Sequence, residues 1–407
     1  MYKDNGPPMR YHSIFLILIF SILLSCNVNG NNRTSPIQIL YLGDCFFYSS
    51  GAVPFLPLKE EPAFRVSAVP TWSLELMRST RHYMPRTYQD HLVKNDVVFV
   101  SDAVVHVFRS EMLQWFARGV IEEGKSFIMV GGLGSFGGGS GIPSWGGSPI
   151  EEVLPCNCID QEIFQGLGAV FPIPVDPEHE FCAPLPWEGC TPFEGFNVVD
   201  TKQGAVDILM PGTPYITRGP LLAFWKTGTG TGVAHTPDLT YAWVGAFGDW
   251  EYYGDYCANL IYMAAQIMVP QDTNLVHAAR TAMQDFSQER ALLIAMTEFI
   301  DRFGANPKVI EEGISDIIEM KAEADIHYLN QEFVSALEKL GGMRTRAREL
   351  GEEATELKNA ALMWVFIAEW FMVTATLMIT GYVLWALMVR RRLYRDIKVT
   401  RLGNHSH

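Results

Sequence analysis

Residues 361–389 (ALMWVFIAEWFMVTATLMITGYVLWALMV) constrain this 407-residue chain more than any other stretch. They are almost wholly apolar, carry Glu369 as their one charge, and run directly into Arg390, Arg391 and Arg392. A helix rises about 1.5 Å per residue, so roughly 20 apolar residues cross a hydrocarbon core of about 30 Å. The stretch predicts a transmembrane helix over 361–389 that crosses with some tilt. Trp364 and Trp370 stand where an interfacial aromatic belt would lie, and the triple arginine marks a cytoplasmic end. Glu369 falls close to the other end, which suits an interfacial carboxylate better than a proton relay.

The span dictates where the remainder lies. With the arginines cytoplasmic, 390–407 is a short basic cytoplasmic tail and the large N-terminal part is extracytoplasmic at the cell membrane. A second apolar run agrees: Ser13 to Ser25 (SIFLILIFSILLS) follows Lys3 and Arg10 and is too short for a comfortable span. It reads as a signal-peptide core, so 1–30 is expected to be a signal peptide or an N-terminal anchor. Leu23-Leu24-Ser25-Cys26 resembles a lipoprotein cleavage box, which leaves cleavage, lipidation and retention all open. Asn32-Arg33-Thr34 is a sequon, making Asn32 a glycosylation candidate.

The net charge of −14 argues against nucleic acid as a partner, because phosphate binding needs a basic face. The expected partners are the lipid bilayer and either a second copy of the chain or another membrane protein. Besides Cys26 there are six cysteines, Cys45, Cys156, Cys158, Cys182, Cys190 and Cys257, an even number for an oxidising space. They are disulfide candidates of unspecified connectivity. Their C-x-C and C-x7-C spacings are not those of a zinc ribbon, so no metal is expected and no cofactor is implied.

Apolar runs at Ile37–Leu42, Ala63–Val69, Asp96–Val100 and Ser126–Val130 predict buried strands. Between the last two, Met112, Leu113, Phe116 and Val120 share a helical face over Ser110–Glu123. Continuous apolar strands alternating with helices predict a parallel sheet covered on both faces. Beyond Pro149 the strands shorten. Asn197–Asp200 and Ala205–Leu209 suggest a hairpin, Leu221–Lys226 and Thr240–Phe247 two further strands, and Asp255–Val269 a closing helix. Within 273–358 glycines become rare and apolar residues recur at helical spacing, which predicts a helical stalk or hairpin. Gly341-Gly342 interrupts the stripe, and the repeat is not strict enough for a coiled coil.

ILYLGD, DVVFVSD, VIEEGKSFIMVGGLGSFGGG and SPIEEVLP occur in that order, and together they resemble the glutamine amidotransferase-like family, a branch of the class I glutamine amidotransferase superfamily. The resemblance covers about 36–270. It implies an α/β, flavodoxin-like three-layer sandwich with a mainly parallel sheet, here followed by the helical region and one C-terminal transmembrane helix. In the enzymes of that superfamily a cysteine sits on a sharp strand-to-helix elbow, and a histidine and a glutamate after a late strand activate it. The matching elbow here, Gly131-Gly132-Leu133-Gly134-Ser135, has no cysteine. The matching late segment, Val244 to Glu251, has no histidine. Glutaminase chemistry by that route is not expected.

Parallel α/β sheets bind ligands at the carboxyl ends of their strands. On that edge the candidates are Asp44, Asp102, Gly132, Gly134, Ser135, Asp249, Trp250 and Glu251. Ser135, His235 and Asp249 form a nucleophile, base and acid set on paper only. The loop 131–141 meets neither the Walker nor the dinucleotide spacing, so a tight turn shaping a shallow pocket is expected. The chain thus reads as a membrane-anchored, non-catalytic binding, scaffold or assembly module at the cell surface. A hydrolase with a rewired site on the sheet edge, and a sensor passing a signal through the span, are the alternatives.

Overall fold

The computed structural model of this chain describes residues 36–43, 55–71, 82–216, 218–240, 243–303 and 306–402. The apolar run 13–25, Cys26, Asn32, Asp44 and Cys45 lie outside them. Two compact units divide the chain, one of residues 1–281 with 326–334, the other of 282–325 with 335–407.

In the first unit a nine-stranded sheet runs in the order β2-β1-β3-β4-β9-β8-β7-β5-β6. The strands are β1 (Ile37–Gly43), β2 (Phe64–Pro70), β3 (Val97–Ser101), β4 (Ser126–Val130), β5 (Cys156–Pro174), β6 (Phe193–Thr201), β7 (Val206–Gly212), β8 (Leu222–Thr227) and β9 (Gly230–His235). β2, β1, β3, β4 and β9 pair in parallel, and from β9 through β8, β7 and β5 to β6 every pairing is antiparallel. The sheet is therefore mixed, not mainly parallel. Parallel neighbours need a crossover of a dozen or more residues, and only Gly228 and Thr229 separate β8 from β9.

Successive strand residues point to opposite faces, and both faces are buried. Leu40, Leu42, Val98, Val100, Phe127 and Met129 pack with Met112, Leu113, Phe116 and Val120 of a helix at Ser110–Glu123. Ile39, Tyr41, Phe99, Ile128 and Val130 pack on the other side with Leu260 and Ile261 of a helix at Tyr253–Ala264. In chain order the helices are α1 (Phe55–Glu60), α2 (Tyr88–Lys94), α3 (Ser110–Glu123), α4 (Pro149–Val153), α5 (Tyr253–Ala264), α6 (Thr273–Arg302), α7 (Lys308–Leu329) and α8 (Phe333–Leu402).

Two local expectations fail for identifiable reasons. Asn197–Asp200 and Ala205–Leu209 do not pair, because β5 lies between β6 and β7. The described residues of Thr240–Phe247 (240 and 243–247) form no strand: the Asp238 carboxylate accepts from the Thr240 amide at 2.8 Å, and a 3-10 helix occupies Gly245–Asp249. The strand beside β4 is instead β9, masked in sequence by Gly230 and Gly232. At Gly232 a Cβ would come within 1.8 Å of the Val153 carbonyl oxygen, so only glycine lets the backbones approach.

A buried charge cluster closes this unit. Arg280, near the start of α6, is 8% exposed, and its guanidinium meets Glu61 at 2.6 Å and Asp255 at 2.6 Å. Tyr328, in the last turn of α7, donates to Glu61 at 2.9 Å. His277 bonds the other Asp255 oxygen at 2.7 Å. Burial pushes the Asp255 carboxyl up, but the His277 and Arg280 bonds outweigh it and hold it below its ordinary value.

In the second unit α6, α7 and α8 form a three-helix bundle. Burial recurs every seven residues: Phe286, Leu293 and Ile300 on α6; Ile310, Ile317 and Ala324 on α7. On α8 it alternates four and three, at Ala336, Leu340, Met343, Ala347, Leu350, Ala354 and then Ala361. That is the spacing of coiled-coil packing, which the apolar pattern alone does not reveal. Gly341 and Gly342 lie inside α8 and do not break it. α8 continues unbroken through the apolar stretch. Among the described residues it is the one helix long and apolar enough to cross a membrane, by length and composition.

Replacing Arg280 by Met leaves Glu61 and Asp255 buried without their cation. Removing one partner of such a pair costs about 3–5 kcal/mol, which denaturant unfolding should register for Arg280→Met. A carboxyl whose folded pKa lies below its unfolded value adds stability above the unfolded value and loses it as pH falls through the folded one. Stability of the native chain should therefore drop on acidification below about pH 4, and less steeply in Arg280→Met.

Candidate functional site

The parallel strands β1, β3, β4 and β9 end level with one another, at Gly43, Ser101, Val130 and His235. Asp102 follows β3 in a left-handed backbone conformation (φ 41°), which aims its carboxylate across the edge at the turn after β4. There it accepts from the Gly134 amide at 2.6 Å. Gly132 packs against this carboxylate so closely that a Cβ would lie 2.3 Å from it, and its φ of 132° also excludes other residues. Burial raises the Asp102 pKa, with the Gly134 N–H opposing it.

The far side of the turn is held by β6, which passes over the edge. The Asn197 amide donates to the Thr236 carbonyl at 3.0 Å. Its fully buried side chain accepts from the Gly132 amide at 2.9 Å and donates to the Gly132 carbonyl at 3.1 Å. Trp145 completes the frame, its indole N–H shared between the Ala103 and Gly134 carbonyls at 3.0 and 2.8 Å. The Gly131 amide donates to the His235 and Pro237 carbonyls, and the Gly138 amide to that of Ser135. The Gly141 amide donates to the Gln161 side chain. Those amides are consumed within the protein, which braces the glycine-rich turn.

Ser135 and His235 are both fully buried. The Ser135 hydroxyl has no hydrogen-bond partner. His235, the last residue of β9, is engaged on both nitrogens: Nδ1 with the Pro237 carbonyl at 2.9 Å, Nε2 with the Tyr256 hydroxyl at 2.8 Å. A carbonyl only accepts, so Nδ1 carries the proton and Nε2 accepts from Tyr256. Burial lowers the His235 pKa to about 4 and keeps the ring neutral. No hydrogen bond joins it to Ser135, and Asp249 is exposed on the 3-10 helix before α5. The nucleophile, base and acid set is not assembled.

The acidic aromatic stretch resolves into core and rim. Trp250 is 6% exposed and packs against Trp187 and Phe247, with ring centroids 5.7 and 5.5 Å apart. Glu251 is exposed and lies 3.6 Å from His277. Neither touches the β4 turn through a hydrogen bond or ring contact. Cys156, Cys158, Cys182, Cys190 and Cys257 are free thiols, so among the described residues the expected disulfides are not formed. Each packs in or against the core as a small apolar side chain. Burial lifts the Cys182 and Cys190 thiols to about 12, which keeps them protonated and poor nucleophiles. No group of three His, Cys, Asp or Glu among the described residues is placed to hold a metal.

The residues that organise this edge, Asn197, Trp145, Asp238 and Tyr256, are not those the sequence singles out. Asn197 alone carried a signal, as a polar residue inside the apolar run FNVV. Asn197→Leu should strip both partners from the Gly132 peptide and cost about 1–3 kcal/mol per buried group left unpaired, read as a fall in unfolding free energy.

No curated protein matches the chain. Among solved structures it is similar to the cytoplasmic protein STM1381 from Salmonella typhimurium LT2, at 20% identity and a TM-score of 0.47, covering 56% of this chain and 98% of that one. The cytoplasmic protein STM3548 from Salmonella typhimurium gives 19%, 0.47, 56% and 99%. A β-galactosidase from Bacillus circulans sp. alkalophilus gives 13% identity and a TM-score of 0.36, over 58% of this chain and 32% of that one. Residues 90–265 match the family described as "Putative glutamine amidotransferase", so that this part of the chain is glutamine amidotransferase-like, as the order of its motifs implied.

Proposed function

We infer that this chain is a membrane-anchored, amidotransferase-shaped module that binds or assembles and does not catalyse. The observation carrying this reading is the state of the sheet edge. β4 runs into turns up to Ser148, with no helix directly after the strand to form an elbow, and no cysteine lies in 131–135. His235, at the end of β9, is buried, neutral and bonded on both sides. The matching segments 131–135 and 244–251 hold neither the cysteine nor the histidine that glutamine hydrolysis by the family route requires.

The parallel half of the sheet, in the order β2-β1-β3-β4-β9, supports a flavodoxin-like reading of 36–270. The apolar 361–389 segment with Arg390–Arg392 supports a single span whose larger part is extracytoplasmic, with 390–407 as the cytoplasmic tail. The helices of 273–358 are the assembly element in this reading. Its module then presents the amidotransferase-like body at the cell surface to a second copy or to another membrane protein.

Purified full-length chain incubated with glutamine should release no ammonia above buffer, and measurable release would sink the non-catalytic reading. In sealed cells a membrane-impermeant lysine reagent should label the N-terminal part and spare the tail. Labelling of the tail alone would reverse the orientation.

A further inference from the structure

In the helical bundle, α6 and α8 run parallel and in fixed register. Asp285 pairs with Arg344 at 3.3 Å, and the Lys358 ammonium lies over the Phe299 ring at 5.9 Å. Both pairs are 59 positions apart, 344 less 285 and 358 less 299. Between the two helices lies an open groove of about 780 Å³. Leu292 stands on its α6 rim, 63% exposed. The same register sets Gly351 of α8 level with Leu292, and a Cβ built on Gly351 meets nothing within 4 Å. A projecting apolar side chain and an empty hole thus stand at one height on opposite rims.

The charges on the rims repeat this arrangement. Glu289 on α6 is level with Arg348 on α8, and both line the groove. The Glu289 carboxylate lies 3.8 Å from Arg344 of the same chain through Oε1, while its Oε2 is buried without a hydrogen-bond partner. Among the described residues Arg348 makes no ion pair. The α8 rim carries Arg344 and Arg348 toward one end and Glu352 and Glu356 toward the other, and the level pair across the groove that is opposite in charge is Glu289 with Arg348.

A face with knob and hole, and plus and minus, on opposite sides of one axis is self-complementary under a two-fold rotation about that axis. We propose that the α6/α8 groove is the contact face of a parallel two-fold dimer of this chain. In it Leu292 of each copy seats over the partner's Gly351, and Arg348 of each meets the partner's Glu289. The occupant is a second copy because the complementarity is internal to one surface. It also rests on the membrane-anchored reading above: two copies inserted the same way hold their α8 helices parallel, which is the orientation the two-fold needs. Seating Leu292 removes an apolar side chain from water, and the opposed charges set the rotation.

The test uses two differently tagged full-length copies, co-expressed and reconstituted in lipid nanodiscs, one carrying Leu292→Cys and the other Gly351→Cys. Mild oxidation should join the two tags, and neither variant paired with native chain should do so. In parallel, Gly351→Leu fills the hole without a clash inside its own bundle; helix content should hold while the dimer dissociation constant rises by about tenfold or more. A native dimer with no tag-to-tag product and no response to Gly351→Leu overturns this face but leaves an assembling module. A native chain that stays monomeric at every protein-to-lipid ratio overturns both the face and the assembly reading. A disulfide formed with a different protein overturns the second copy as occupant.

Discussion

The Arg280 guanidinium is the interaction on which the closure of the first unit depends. It reaches Glu61 beside α1 and Asp255 on α5, and Tyr328 of α7 bonds the same Glu61 carboxylate. Four segments that are remote in the chain meet at one cation. Burying three charges is expensive, and the cost is offset only because the geometry is short and each carboxylate has a second donor. For Glu61 that donor is Tyr328, and for Asp255 it is His277. An apolar contact at the same place would tolerate sliding. A forked guanidinium between two carboxylates does not, so the start of α6 and the end of α7 are fixed against the sheet with one register.

The carboxyl edge of the parallel strands follows the opposite logic. A fold of this class leaves backbone amides and a loop at that edge, where ligands ordinarily bind. Here the chain turns those groups inward. Asp102 takes the Gly134 amide, Asn197 brackets the Gly132 peptide, Trp145 ties two carbonyls, and Tyr256 with Pro237 occupies His235. This network braces the edge, and within it the buried Ser135 hydroxyl is left without a hydrogen-bond partner. Fold does not carry activity with it: the core of the amidotransferase-like part is intact whatever the groups at its edge do.

The helical region draws its order from a different source. Its seven-residue burial repeat lets three helices wind on one seam, and α8 carries that seam from Ala336 to Ala361 before becoming the apolar stretch. Because α8 is continuous, its bundle face and its apolar face share a single helix axis. Helix propensity does not govern here, since Gly341 and Gly342 sit inside α8 where packing outweighs their preference for breaks.

The sequence by itself determined the elements whose burial is local and one-sided in pattern. β1, β3, β4 and α3 are legible because an apolar run or a helical stripe names its own partner surface. The apolar 361–389 stretch is legible because its length matches a physical thickness. Tertiary structure alone decided the rest. β9 is hidden because its glycines answer to the close approach of other backbone, Gly230 to Lys125 and Gly232 to Val153, and not to strand preference. Thr240–Phe247 looks like a strand until Asp238 caps it. The Arg280 cluster joins residues 219 positions apart, Glu61 and Arg280, and the Asn197 bracket joins residues 65 apart, separations that no local pattern encodes. Sequence periodicity reports which face of an element avoids water. Which polar group meets which across the fold depends on chain topology, and there the role of each residue at the site was settled.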